Sequence, residues 1–248
     1  MFPVEPTHGA RLADEFDRAS GRYDLLTSLN PGYHDALRDA AKALVLRLPR
    51  IDGPLTLWDL GCGSGLSTRA LVDAAGVDAR IVGVDASDGM LEQARAKDWP
   101  AGVDFVHAFA QELPDVAART LDGPADGAFA AYLMRNVPEE QRDEVVASIA
   151  AQVRPGGWIA LQDYHVKGSK RAEATWSAVC WGVVTPLALA VRGNPSIYRY
   201  LWRSVLENDS RDELHARLER AGLTDISWTT AGGWQRGILH TVHARRPA

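Results

Sequence analysis

Cysteine is nearly missing from this chain: Cys62 and Cys180 are the two in 248 residues. Two thiols cannot complete a structural zinc site, and a disulfide framework would use more of them. Lysine is scarce as well, 4 against 23 arginines, which reads as a bias toward GC-rich codons and not as function. Long apolar runs are absent. The longest, Ala178 to Val191, has 14 residues and contains Thr185 and Pro186, short of the roughly 20 that a membrane-crossing helix needs. No basic stretch followed by an apolar one stands near Met1, so no secretion signal is expected and the cytoplasm is the expected compartment. There is no internal repeat, low-complexity tract or Gly/Ser linker. Positive charge is not in excess either. The formal net charge is −5, so a broad face for nucleic acid is not expected.

What is present suits a globular domain. Hydrophobic residues make up 46% and charged residues 24%, near the average of folded domains. A chain this long buries roughly 70–75% of its unfolded surface without staples. The periodicities predict one domain over 1–248. Residues 1–50 form an N-terminal helical cap, 51–165 a core, 166–208 a second helical cap, and 209–248 a final helix with a strand hairpin. Helices are expected over 10–22 and, past the Asn30-Pro31-Gly32 turn, over 35–48. Strands at 55–60, 80–85, 103–108, 125–132 and 158–163 then alternate with helices at 67–75, 88–97, 111–119 and 139–153. Pro155-Gly156-Gly157 is expected to stop the last of these. That alternation predicts a doubly wound, mostly parallel α/β sheet. Residues 170–206 are apolar, rich in tryptophan and helical in pattern, with breaks at Pro186 and Pro195. A helix at 211–221 and strands at 224–230 and 237–244, turning at Gly232-Gly233, complete a seven-stranded sheet.

Chemistry concentrates in the segment LWDLGCGSGLSTRAL. Gly61, Gly63 and Gly65 lie between a strand and a helix, where glycine allows a sharp turn and a close approach of backbone to ligand. The helix start behind them offers unpaired N–H groups. Asp85 ends the next strand, where an acid can accept from both hydroxyls of a ribose. The dinucleotide fingerprint G-x-G-x-x-G would need glycine where Leu66 stands, and no Gly-Lys-Ser/Thr follows for a P-loop. Asp59, two residues before Gly61, suits a ligand carrying an ammonium group better than a pyrophosphate.

DLGCGSG followed by VGVDAS resembles the cofactor motifs of class I S-adenosylmethionine-dependent methyltransferases, over about residues 55–163. The resemblance implies that fold, Rossmann-like, and S-adenosyl-L-methionine as cofactor. Asp59, Gly61, Cys62, Gly63, Ser64 and Gly65 would face its methionine end, with Tyr23 folding over it. Asp85 would take the ribose, and Ala86, Met90, Phe109 and Ala110 the adenine, with Ala131 beside them. Phe109 stands where many relatives carry Asp or Asn, so the backbone near Ala110 would serve the adenine amino group instead. Three flanking segments, YDLLTSLNPGYH, YLMRNV and IYRYLWRSVLENDSRDELHARLERAGL, resemble the ubiquinone/menaquinone biosynthesis C-methyltransferases. Leu26-Thr27, Leu37 and Asp163-Tyr164-His165 depart from that family's pattern, in places where the aromatic acceptor should lie.

The implied reaction is methyl transfer to a ring carbon of a phenolic or quinol small molecule, such as a prenylated quinone precursor, with no metal required. Arg135 and Asn136, at the carboxyl end of the fourth strand, would stabilise a phenolate and hydrogen-bond a ring oxygen. The bland reading of Arg135 is a structural pair with an acid such as Glu139 or Glu140. His165 is a second catalytic candidate, since a base there would favour O-methylation. O- or N-methylation of a specialised small molecule, and a homologue that binds cofactor without methyl transfer, stand as alternatives. His107, His240 and His243 read as structural. Trp176, Trp181 and Trp202 read as helix core, with a greasy acceptor channel as the rival. An aromatic or lipid-like small molecule is the expected partner. A homodimer and peripheral contact with a lipid surface are both compatible with this reading.

Overall fold

A computed structural model describes residues 32–49, 52–186 and 195–248. The expected helix 10–22, Tyr23 and Asn30-Pro31 lie outside the described residues. In chain order the main elements are α1 (Tyr33–Val45), β1 (Thr56–Leu60), α2 (Leu66–Ala75), β2 (Arg80–Asp85), α3 (Asp88–Arg95), β3 (Val103–His107), α4 (Leu113–Thr120) and β4 (Ala125–Ala131). Then follow α5 (Arg142–Ala151), β5 (Val153–Tyr164), α6 (Lys170–Val179), α7 (Pro195–Leu206), α8 (Arg211–Arg220), β6 (Thr224–Thr230) and β7 (Leu239–Arg245).

The strands form one seven-stranded sheet in the order β3-β2-β1-β4-β5-β7-β6. The first five are parallel, and β7 runs antiparallel between β5 and β6. Strand order therefore reverses between β1 and β4. A crevice opens at such a switch point, outside the carboxyl ends of the strands.

Alternate side chains of each strand feed two cores, as the period of a strand requires. Leu57 and Phe129 face α1 and α2, with Leu37, Leu44 and Leu71. Trp58, Leu60 and Ala128 face α4, α5 and α8, with Val116, Ile149 and Leu218. Asp59 follows from the same alternation: it points to the α2 side, next to the glycine turn.

Two boundaries differ from the periodicity. Pro155-Gly156-Gly157 does not stop a helix, because α5 has already ended at Ala151. It lies within β5, where Val153 pairs with Ala125 and the register shifts before Trp158 meets Gly127. Pro195 begins α7 and does not break it, since proline's missing N–H costs nothing in a first turn. Between α6 and the undescribed stretch, Cys180–Val184 winds as a π-helix. Among the described residues no helix is long and apolar enough to cross a membrane.

Candidate active site

The glycine turn is held to the sheet by its own backbone. The N–H groups of Gly61 and Cys62 both donate to the Val84 carbonyl, at 2.8 and 3.1 Å. Gly61, Gly63 and Gly65 take φ of 69°, 53° and 89°, which side chains with a Cβ rarely adopt. Gly65 is also pinned from outside: a Cβ there would come within 2.8 Å of the Trp99 ring. Arg69 lies over that ring at 4.2 Å, and Lys97 Nζ donates to the Ser64 carbonyl at 2.7 Å.

The two acids of the turn are set up differently. Asp85 Oδ2 accepts from the Gly63 N–H at 2.8 Å and Oδ1 from the Ser87 N–H at 2.9 Å. Burial raises its pKa, and those amides oppose the rise. Asp59 is fully buried. Its Oδ2 accepts from the hydroxyls of Ser67 and Thr68 at 2.8 and 2.6 Å, while Oδ1 has no partner among the described residues. Burial pushes its carboxyl up to about 7, against the pull of the two hydroxyls.

A cavity of about 680 Å³ lies over the carboxyl ends of β1, β2 and β4. Its wall brings together Gly61, Gly63, Asp85, Ala86, Met90, Phe109, Ala110, Ala131, Arg135 and Asn136 from the sequence reading. The motifs of β1, β2, β3 and β4 thus meet at one crevice. A second cavity, of about 30 Å³, sits on the other side of the turn against α1, where Tyr33 and Tyr132 line it with Cys62, Ser64 and Ser67. Asp59 and Gly65 line neither. Asp59 touches the small cavity only through Ser67, and Gly65 is spent on the packing with Trp99.

Arg135 and Asn136 sit in a single 3₁₀ turn, Met134–Asn136. The acid beside Arg135 is neither Glu139 nor Glu140 but Asp163, at the end of β5. Arg135 Nε lies 3.3 Å from Asp163 Oδ1, and both side chains are buried. Asp163 also accepts from the N–H of Arg135 at 3.2 Å and of Tyr164 at 2.8 Å, so it anchors the turn as well as the charge. Asn136 receives Arg135 Nη1 and the Tyr200 hydroxyl on Oδ1, each at 3.1 Å, and gives Nδ2 to the Tyr132 carbonyl at 3.0 Å. Behind the turn, Arg142 donates to the Val137 carbonyl at 3.0 Å and pairs with buried Asp209 at 2.8 Å.

His165 is a correction. It lines neither cavity. Tyr164 packs into the core against Tyr132 and Trp176, and the His165 Nδ1 meets the Asp209 carbonyl at 2.8 Å with the ring edge-on to Trp228. Burial lowers its pKa, which keeps it neutral in the core. The tryptophans line neither cavity. Trp176 is buried 4.7 Å from Tyr164, with Nε1 on the Trp202 carbonyl, and Trp181 is exposed. His107 lies at the sheet edge, with Nε2 2.9 Å from the Ala86 carbonyl.

Sequence reasoning missed four residues here. Asp163 and Tyr200 join the site from segments far from YLMRNV. Tyr33 stacks on Tyr132 at 5.1 Å, beside the glycine turn where Tyr23 was expected. Tyr132 has a φ of 60°, so the chain leaves β4 in a conformation that turns YLMRNV over the crevice. Tyr33 had a local signal, the Pro31-Gly32 turn ahead of a helix. The other three stood in segments already singled out, but nothing local told that they would meet Arg135 and Asn136.

Known proteins bear on this geometry in three ways. Residues 58–157 match the family described as methyltransferase domain. A demethylmenaquinone methyltransferase of Mycolicibacterium vanbaalenii is 30% identical over 237 residues, covering 96% of this chain and 95% of that protein. A ubiquinone/menaquinone biosynthesis C-methyltransferase of Rhizobium etli is 25% identical over 223 residues, with 88% and 83% covered. Among solved structures, magnesium protoporphyrin IX methyltransferase of Synechocystis with bound S-adenosylmethionine superposes with a TM-score of 0.64 at 15% identity. That match spans 99% of this chain and 100% of the other, a likeness of fold. The chain belongs to the class I S-adenosylmethionine-dependent methyltransferases and resembles the ubiquinone/menaquinone biosynthesis C-methyltransferases.

Proposed function

We propose that the enzyme transfers the methyl group to a ring carbon of a phenolic or quinol acceptor, a prenylated quinone precursor in particular. The observation that carries this reading is the Arg135–Asn136 turn, locked by buried Asp163, on the wall of the cavity that also holds Asp85. The names of the relatives, at 25–30% identity, support the same class of acceptor.

The residues fit the cofactor. The Asp85 carboxylate accepts from the Gly63, Ser87 and Ala86 amides and, with about four lone-pair sites in all, has acceptor capacity left for the ribose. Phe109, Ala110 and Met90 offer apolar surface for the adenine. The orphaned Oδ1 of Asp59 is a buried acceptor in want of a donor, which the ammonium end would satisfy directly or through water. Bound S-adenosylmethionine supplies a sulfonium-activated methyl group, already a strong electrophile.

The protein then has to orient the acceptor and raise its electron density. Asn136 has one N–H left to give to a ring oxygen. Arginine stays protonated at any working pH, so Arg135 acts by stabilising negative charge on that oxygen and not by removing a proton. As the ring carbon bonds the methyl group the carbon–sulfur bond breaks, and the ring proton leaves to water as aromaticity returns. O- or N-methylation through His165 has no observation in its favour.

The test uses purified enzyme, methyl-deuterated S-adenosylmethionine and chemically reduced demethylmenaquinone. One labelled methyl group on the quinol is the expected product. Cofactor binding without any transfer to reduced quinones would overturn this reading of the acceptor.

A further inference from the structure

The Tyr200 hydroxyl is the described link between the cap helix α7 and the turn that carries Arg135 and Asn136. We propose that Tyr200 is a positioning residue for methyl transfer: by occupying Asn136 Oδ1 it leaves Asn136 with a hydrogen-bond donor only to offer the acceptor. The inference rests on reading this cavity as the methyl-transfer site.

The argument is a count of donors and acceptors. A primary amide has two lone pairs on oxygen and two hydrogens on nitrogen. Both lone pairs of Asn136 Oδ1 are taken, by Arg135 Nη1 and by the Tyr200 hydroxyl, each at 3.1 Å. One hydrogen of Nδ2 is taken by the Tyr132 carbonyl at 3.0 Å. What remains on a residue lining the cavity is a single N–H. A donor held in this way favours an acceptor oxygen that is a phenolate or carbonyl, and it favours the transition state, where that oxygen gains negative charge. Without the phenol, Oδ1 regains a lone pair. The amide can then accept from a neutral hydroxyl, which stabilises the ground state and not the charge that develops.

Tyr200 acts at a distance from the reacting atoms. It lines neither cavity, and a phenol on a cap helix makes the state of Asn136 depend on where that helix sits. Asp163, Arg135, Asn136 and Tyr200 form one continuous chain from the end of β5 to the cap. A cap that moves away therefore breaks the chain at its last link, and the site is complete only when α7 is docked.

Three variants test this. Tyr200→Phe removes the hydroxyl alone, Tyr200→Leu removes the ring, and Asn136→Ala removes the partner. In ¹⁵N-labelled protein saturated with S-adenosylhomocysteine, the Asn136 side-chain amide signals are those that vanish in Asn136→Ala. In Tyr200→Phe they are expected to shift and to exchange faster with water. The Kd for S-adenosylmethionine by calorimetry should stay within about twofold, because no cofactor contact is altered. The kcat on reduced demethylmenaquinone should fall about three- to tenfold, the worth of one hydrogen bond. Adding Tyr200→Phe to Asn136→Ala should cost nothing further.

A packing role predicts instead that Tyr200→Phe matches the parent in amide signals and in kcat and that only Tyr200→Leu is impaired; that result would overturn the proposal. If the parent enzyme turns over no reduced demethylmenaquinone, the reading of the acceptor fails. The amide signals then still decide the role of Tyr200, since unchanged signals refute it and shifted signals uphold it.

Discussion

At the scale of single residues, Asp85 is the proposed partner of the cofactor's ribose. Its carboxylate is fixed by the Gly63 and Ser87 amides before anything binds, so little ordering is left for binding to drive. Asp85→Ala should weaken S-adenosylmethionine by about 1–3 kcal/mol, the worth of hydrogen bonds to a charged group, with the fold intact by circular dichroism. An unchanged Kd in calorimetry would contradict the assignment. Asp85 and Asp59 were legible because each sits one step from a local signal, the end of a strand or the glycine turn. Asp163 was legible only as a departure from a family pattern, and its pairing with Arg135 is a tertiary fact. His165 misled for the same physical reason: the carboxyl end of β5 was placed well, but neighbouring strand residues point to opposite faces.

At the scale of elements, the glycine turn and β1 to β4 could be read almost residue by residue, because a buried parallel strand and the turn after it have strong local patterns, whereas β5 begins five residues before the expected 158. The turn from Met134 to Asn136 could not. It depends on the positive φ of Tyr132 and on support from α5 and α8, which no local pattern encodes. Asp209 is central to that support. It accepts from Arg142 and from Arg217, each at 2.8 Å, and is itself buried. Removing one partner of a buried ion pair leaves the other charge uncompensated and costs about 3–5 kcal/mol. Asp209→Ala should therefore lower the free energy of unfolding, read from denaturant titration, by about that amount. Since Arg142 also holds the Val137 carbonyl, loosening it should disturb Arg135 and Asn136 before global unfolding. A variant as stable as the parent would show that the pair contributes little.

For the whole molecule, stability should depend on pH through buried groups of opposite sign. Burial holds His240 and His243 down to about 4, against an ordinary 6.5, and shifts His165 in the same direction. Unfolding then takes up protons in that window. Their contribution is fully present above about pH 6.5 and is lost as pH falls toward 4. Asp59 runs the other way. Its carboxyl is raised from 3.8 to about 7, so its share is present at low pH and is lost as pH rises between those values. Burial raises Asp85 in the same direction as Asp59, but the three histidines outnumber these two carboxyls, so the Tm should fall on acidification from pH 7 to 4.5. The fall should be steeper in Asp59→Asn, where one opposing group is gone. A flat profile in both proteins would mean that these side chains reach water in the folded state. The three-layer architecture was open to sequence reasoning because alternating strand and helix patterns leave few ways to bury both faces of a parallel sheet. The docking of the cap onto Asn136 was not, because it joins segments 64 residues apart through one hydroxyl.

The proposal to test is that one crevice brings the cofactor and an aromatic ring together, with Arg135 and Asn136 on a ring oxygen while a ring carbon takes the methyl group. The most direct measurement is the carbon-13 NMR spectrum of the product formed from ¹³C-methyl S-adenosylmethionine and reduced demethylmenaquinone. The account predicts a labelled methyl group bonded to a ring carbon. A labelled methyl group on oxygen would contradict it.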